Sequence, residues 1–278
     1  MTRTTGRLLA ALLCALLAAP ASRAQQPAPE AGPSGDAPAP EAGAKAKARP
    51  KAGPRRDRPG FYMGRRIADV MSWQGAEWLY RETRIEEEQP EAMLDALELA
   101  PGMTVADVGA GVGYHSLRLA RRVGPDGVVL ATDVQPEMLR MLRDNARAAG
   151  VRNVRPLLAS QRDAKLPEGE VDLILMVDVY HEVTDPERLL DAFLAALKPG
   201  GRLVLVEFRG EDPEVPIKPE HKMTLEQARR EVEPRGFAFK TSHEFLPWQH
   251  VIVFEKPRAL PKPDESRPAD AAPAKPAS

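Results

Sequence analysis

The chain has 278 residues, with 39 Lys and Arg against 40 Asp and Glu, a net charge of −1 and a single cysteine. That length accommodates one large domain or two small ones, the balanced charge lacks the basic footprint of a nucleic-acid binder, and one cysteine excludes an internal disulfide.

In chain order, Arg3 and Arg7 precede an apolar run over residues 8–19, and Pro20 and Ser22-Arg-Ala24 follow it. This is the layout of a secretory signal peptide, so residues 1–24 are expected to be removed after Ala24 and the protein exported, periplasmic or secreted. The run is short for a bilayer span, and Cys14 follows Leu13 rather than a small residue, which argues against a lipoprotein anchor. No transmembrane helix is expected after cleavage. Losing Arg3, Arg7 and Arg23 leaves 36 basic against 40 acidic residues, a net −4, and losing Cys14 leaves no thiol. Cysteine-ligated zinc and thiolate nucleophiles are thereby excluded, and no motif implies a metal.

Residues 25–59 are almost all Ala, Pro, Gly and charge, too poor in apolar surface to offset the entropy of ordering, and are expected to form a disordered linker. Lys45, Lys47, Arg49, Lys51, Arg55, Arg56 and Arg58 make its distal part basic. Residues 257–278 repeat that composition as a tail, which leaves 60–256 as the domain. Its first stretch, 60–84, holds two of the three tryptophans and is expected either to cover a cleft, with Trp78, Tyr80 and Arg81 as parts of a lid, or to pack on a sheet edge.

Three consecutive acids from Glu86 lead into a helix over 91–99 that Pro101-Gly102 stops. Residues 105–115, VADVGAGVGYH, then read as a strand, a glycine loop and a helix start, and VVLATD at 128–133 reads as a second strand ending in an acid. Gly109, Gly111 and Gly113 keep side chains away from a sharp turn and let a ligand approach the backbone. Asp133 lies where a carboxylate can accept hydrogen bonds from two ribose hydroxyls. Asp107 would repel a pyrophosphate but suits an ammonium group, and Tyr114 stands where a dinucleotide fingerprint needs glycine.

Helices are expected over 115–122 and from Pro136 to about Gly150, with a third strand over 153–158. VDLILMVDVYHE (171–182) reads as a fourth strand with its active end, and LKPGGRLVLVE (197–207) as a turn and fifth strand. A proline- and charge-rich loop over 209–223 offers Glu211, Lys218, His221 and Lys222 as acceptor-site candidates, against the alternative of a salt-bridged surface loop. Thr224 to Gln227 is a capping pattern for a helix running to about Glu233, and two strands, near 237–245 and 251–254, close the chain as a hairpin. Trp248 and His250 in their connection either reach the pocket or are buried at the hairpin.

Over roughly residues 85–256, the ordered set of glycine loop, Asp133, fourth-strand motif and LKPGG turn resembles the class I S-adenosylmethionine-dependent methyltransferases. The resemblance implies an α/β, Rossmann-like, doubly wound seven-stranded sheet, mostly parallel with an antiparallel C-terminal hairpin strand. It implies S-adenosyl-L-methionine as cofactor, with Asp107 and the three glycines on the methionine part, Asp133 on the ribose and Asp163 on the adenine amino group, against the alternatives that Ser160 or Gln161 takes that role or that Asp163 is a solvated loop acid. It places Asp178, Tyr180 and His181 at the transferred methyl group, where an imidazole can serve as a base or take a structural or cofactor-side role and Tyr180 can wall the pocket. The acceptor and the oligomeric state are unspecified. Two other readings stay open: a noncatalytic S-adenosylmethionine-binding sensor or scaffold, prompted by the export signal, and an NAD-dependent oxidoreductase, weakened by Asp107 and Tyr114.

Overall fold

The structure, a computed structural model, describes residues 58–258. The predicted signal peptide, the linker up to residue 57 and the tail from residue 259 lie outside the described residues. Seven strands form, six of them on runs carrying Val, Leu or Ile and the edge strand β6 on the mixed sequence AFKTSH: β1 (Thr104–Val108), β2 (Val128–Asp133), β3 (Val154–Leu158), β4 (Val171–Val177), β5 (Leu197–Arg209), β6 (Ala238–His243) and β7 (Gln249–Glu255). Their order in the sheet is β3-β2-β1-β4-β5-β7-β6. The first five are mutually parallel, and β7 runs antiparallel to both of its neighbours. An eighth, unforeseen strand of two residues, Lys222–Met223, pairs with the end of β5.

Six α-helices accompany the sheet: α1 (Arg84–Glu88), α2 (Pro90–Ala96), α3 (Ser116–Val123), α4 (Pro136–Ala148), α5 (Pro186–Ala196) and α6 (Leu225–Val232). Helices α2, α4 and α5 begin on proline, whose fixed φ and missing N–H suit the first helical position. Thr224 caps α6 as its pattern predicts, its hydroxyl accepting the Gln227 N–H at 3.0 Å.

Alternate strand residues feed two cores, as the period of two requires. Val105, Leu173, Leu175 and Val204 pack with Met93 and Leu94 of α2 and Leu119 of α3. Ala106, Ile174 and Leu205 pack on the opposite face with Leu190 and Phe193 of α5 and Val232 of α6. The LKPGG segment departs from the expected turn. It lies within β5, and the pairing with β4 jumps from Val171↔Leu197 to Leu173↔Arg202, so the Pro-Gly-Gly residues are looped out of that ladder. The Gly200 N–H donates instead to the Lys256 carbonyl.

Between β1 and β4 the direction of strand progression reverses, and the carboxyl ends of those two strands open a crevice there. The N-terminal stretch closes over it. A short ladder pairs Phe61–Tyr62 with Arg65–Arg66, and a 3-10 helix follows at Trp73–Tyr80. Arg65 fastens this stretch: its guanidinium reaches Glu231 of α6 at 2.7 and 3.1 Å and donates to the His181 carbonyl at 3.0 Å.

Candidate active site

The crevice holds a cavity of about 430 Å³ lined by residues from every carboxyl-terminal strand end from β1 to β5. That volume lies within the usual range for small-ligand sites. At the β1–β2 end, the Gly109 and Ala110 amides donate to the Thr132 carbonyl at 2.8 and 2.9 Å, which folds the glycine loop back onto β2. The Asp133 carboxylate fixes the same loop, accepting from the Gly111 N–H at 2.9 Å and the Gln135 N–H at 2.8 Å. Gly109 has φ +75, and a Cβ there would stand 2.5 Å from Val179 Cγ2, so glycine is required twice over.

Gly113 departs from expectation. It does not line the cavity; φ +88 and the Leu142 side chain, 2.9 Å from where its Cβ would be, demand glycine for packing against α4.

Asp107 lies at the cavity floor, buried, with one oxygen accepting from the Ser116 hydroxyl at 2.5 Å. Burial pushes its carboxyl up to about 6, against the Ser116 hydrogen bond and with the nearby Asp133 adding to the rise. Burial likewise raises Asp133, opposed by its backbone hydrogen bonds. Two buried carboxylates facing one cavity favour a cationic ligand. Tyr114, which fills the place of the third dinucleotide glycine, is clamped between the Arg84 and Arg118 guanidinium groups, each 4.0 Å from its ring centroid.

Asp163 is the cofactor-side expectation that the structure turns away. A bridge between Ser160 and Asp163 closes a tight turn, and the Asp163 carboxylate accepts from the Lys165 N–H at 2.7 Å and pairs with its ammonium at 2.6 Å. Ser160 and Gln161 line the cavity in its place.

At the β4–β5 end, Asp178 has φ +53, a left-handed conformation that Asp tolerates better than most residues. One of its oxygens accepts from the Gln249 amide at 2.7 Å, and burial together with the charges of Glu88 and Glu207 pushes its carboxyl well above the usual range. His181 is buried, lines the cavity and donates from Nδ1 to Glu207 Oε2 at 2.5 Å. The other Glu207 oxygen accepts the Tyr180 N–H at 2.8 Å, so the carboxylate is fixed and Nε2 is the His181 ring atom turned away from Glu207, toward His221. Burial works to lower the His181 pKa, but the charge and hydrogen bond of Glu207, with Asp178 and Glu182, outweigh it and hold it above the usual value. His221 Nδ1 stands 3.1 Å from His181 Nε2. Glu182 completes this corner, its carboxyl pushed by burial up to about 7.

Tyr180 does not wall the pocket. It points through the opposite face of the turn, its hydroxyl donating to Glu231 Oε2 at 3.0 Å. Of the four acceptor-loop candidates, Lys218 and His221 line the cavity, joined by Pro216 and Ile217. Glu211 accepts the Leu225 N–H at the start of α6, and the Lys222 ammonium donates to the Asp212 carbonyl, so both serve the loop itself. His250 is buried with Nε2 against the Met223 carbonyl, and neither it nor Trp248 lines the cavity. In the covering segment, Trp78 and Leu79 line the cavity, whereas Tyr80 bonds Asn145 and Arg81 pairs with Glu87 and Glu88.

Sequence reasoning missed Glu207, Gln249, Arg65 and Arg84. Glu207 left a readable signal, because it is the one charged residue in the apolar run LVLVEF at 203–208. Arg65 and Gln249 have no local signal, since their partners are remote in sequence, whereas Arg84 pairs with Glu88 one helical turn on.

Among the described residues, five buried side-chain polar atoms lack a partner, and four of them, in Tyr114, His115, Thr132 and Asp178, belong to residues lining this cavity. Unpaired buried polar atoms cost stability unless a ligand or water completes them, so their concentration here fits a polar ligand. A family model described as "Methyltransferase domain" matches residues 105–201. A SAM-dependent methyltransferase of known structure from Aquifex aeolicus is 27% identical, with a TM-score of 0.64 over 67% of this chain and 100% of its own. This is a class I S-adenosylmethionine-dependent methyltransferase domain.

The methyltransferase domain also matches the ubiquinone/menaquinone biosynthesis C-methyltransferase UbiE of Idiomarina loihiensis, 34% identical over 116 residues, which is 41% of this chain and 46% of that protein. The counterpart from Pasteurella multocida is 33% identical over 43% of its length. The chain thus spans less than half the length of these curated relatives. The [4+2]-cyclase SpnF shares the fold alone, with 17% identity and a TM-score of 0.53. S-adenosylmethionine is the cofactor the methyltransferase domain implies. The buried carboxylates and unpaired polar atoms of the cleft fit it.

Proposed function

We propose that this protein transfers a methyl group from S-adenosylmethionine to a small, partly apolar acceptor. The observation that carries the reading is the single cavity shared by Asp107, the Gly109–Gly111 backbone and Asp133 at one end and His181 at the other. The cofactor, when bound, supplies a methyl group already activated by a sulfonium.

The chain's own groups then need only bind, align and exclude water. Asp107 takes the cofactor's ammonium, Asp133 the ribose hydroxyls, and Ser160 or Gln161 the adenine edge. Trp78 and Leu79 close the mouth as parts of a lid. Val183, Phe208, Pro216 and Ile217 give the acceptor end its apolar lining, while Lys218 and His221 supply polar contacts. His181 removes a proton at Nε2 where the acceptor gives one up, with Glu207 fixing the ring and stabilising the imidazolium that forms. The apolar lining suits the aromatic acceptors that the name of the UbiE relatives suggests, and the basic N-terminal flank and predicted signal peptide support an acceptor in the cell envelope.

The experiment is calorimetry with S-adenosylhomocysteine and NADH, followed by a labelled-methyl screen of envelope and small-molecule fractions. Binding of S-adenosylhomocysteine alone, with label appearing in one fraction, supports the reading. Tight binding with no transfer to any fraction points to the noncatalytic binding protein that the predicted export favours, and binding of NADH alone sinks both.

A further inference from the structure

We infer that His181, Glu182 and His221 form a binding site for a divalent first-row transition ion at the acceptor end of the cleft. This inference rests on the methyl-transfer reading for its purpose, though not for its geometry. One donor atom from each of the three residues lies within 4.8 Å of the other two. His181 Nε2 and His221 Nδ1 are 3.1 Å apart. Two imidazole nitrogens bound to zinc at about 2.0–2.1 Å with tetrahedral angles stand ~3.3 Å apart, so the two histidine nitrogens need separate by only a few tenths of an ångström, while the Glu182 carboxylate, within 4.8 Å, moves in to complete the set.

The surroundings are those of a built site. Metal-bound histidines almost always donate their second ring N–H to a carboxylate or carbonyl, which orients the ring. Here Nδ1 of His181 donates to Glu207 at 2.5 Å, and Glu207 is itself wholly buried and held by the Tyr180 N–H. Glu182 is oriented by the Met71 N–H at 3.3 Å, and Arg65 pins the carbonyl of His181 at 3.0 Å. The donors come from two different short 3-10 turns, Tyr180–Glu182 and Pro219–His221, which the fold brings face to face.

Donor chemistry selects the ion. Two imidazoles and a carboxylate suit zinc or ferrous iron, whereas magnesium and calcium favour sets made of oxygen alone. Three protein donors leave at least one coordination position open, the pattern of a catalytic rather than a structural site. All three residues line the cavity, so the open position is available to the acceptor, and its ligand would be an oxygen donor such as a hydroxyl or phenolate. In the ion-loaded protein His181 is a ligand and no longer a free base. The ion then takes over the task of favouring the deprotonated acceptor, and the proton leaves to water.

The test uses the full chain purified without a histidine tag and stripped with a chelator. Co²⁺ is titrated by visible absorption and Zn²⁺ by competition, with S-adenosylhomocysteine titrated separately by calorimetry. The inference requires one ion per chain with the intense bands of four- or five-coordinate cobalt. It also requires that His221→Ala and Glu182→Gln each weaken binding by more than the ~10–100-fold that loss of an outer partner costs. His221→Ala should leave S-adenosylhomocysteine affinity within about twofold, as expected for a separate site. Absence of saturable one-to-one binding in the unaltered protein, or unchanged affinity in His221→Ala, overturns the inference. The ion titration needs no cofactor, so its failure and a failure of the methyl-transfer reading are read on separate instruments.

Discussion

At the β1–β2 end of the cleft, the glycine-loop amides are tied to the end of β2, and the longest of those links, Gly109 to Thr132, spans 23 positions. At the β4–β5 end, side chains are held by other side chains. His181 depends on Glu207, 26 positions away, and meets His221 at 40; Asp178 depends on Gln249 at 71, and Arg65 reaches the same turn across 116. The first arrangement is local, so a short sequence suffices to build it and it tolerates change elsewhere in the domain. The second exists only once the whole sheet, α6 and the N-terminal stretch have assembled.

The sharpest way to break the comparison is Arg65→Ala. It leaves Glu231, wholly buried, without its cation, and unfolding free energy should fall by about 3–5 kcal/mol. Denaturant titration measures this, and the folded protein should keep its S-adenosylhomocysteine affinity within about threefold because the β1–β2 end is distant. If affinity collapses as well, the two ends are not independent. Asp133→Ala makes the reverse statement. It removes a carboxylate that accepts two backbone N–H groups and is assigned the ribose, so affinity should fall about 100-fold by calorimetry, in line with losing charged hydrogen bonds.

Gly109→Ala probes a place where the two ends touch. Its Cβ would drive into the β-branched Val179 at 2.5 Å with φ +75, costing about 1–3 kcal/mol and lowering the melting temperature by several degrees. Val179→Ala in the same chain should recover part of the loss; no recovery would show that φ alone is responsible.

Asp107 gives a pH signature. Its carboxyl titrates at about 6 in the folded protein against an ordinary value of 3.8, so its stabilising contribution is full below pH 3.8 and is lost as the pH rises through 6. Cofactor binding has the opposite sense, because only the ionised form pairs with an ammonium. S-adenosylhomocysteine affinity should therefore fall about tenfold between pH 7 and pH 5, and Asp107→Asn should be weaker at pH 7 and flat across that range. A wild-type slope retained in Asp107→Asn would assign the titration to another group. The smallest effect belongs to Asp163→Ala, whose carboxylate is occupied by Lys165 at the surface. Stability should change by less than about 0.5 kcal/mol and affinity by less than twofold; a larger loss of affinity would return Asp163 to the adenine.

The individual parallel strands, the glycine loop and Asp133 were legible because each is written in a contiguous stretch: an apolar run, a turn and an acid at its end. The same directness misled at Gly113, where the glycine serves Leu142 rather than a ligand, and at Asp163, where two hydrogen-bonding residues in tandem gave no indication of which faces inward. Tyr180 shows a third limit. In the turn after β4, neighbouring side chains leave on opposite faces, so His181 enters the cavity and Tyr180 reaches Glu231. A one-residue step in sequence decides between cavity and core, and only the turn geometry fixes which residue takes which.

By itself, the sequence determined the succession of strands and helices and the glycine loop ahead of Asp133, because hydrophobic period, turn chemistry and a glycine-acid spacing are properties of short segments; the doubly wound sheet was implied by the family resemblance. Tertiary structure alone decided the acceptor end. The pairing of His181 with Glu207, the meeting of His181 and Glu182 with His221, and the grip of Arg65 on the same turn join residues whose proximity follows from strand order and helix packing. Contacts of that kind carry no periodic or spacing signal, since the distance between partners along the chain is set by everything folded in between.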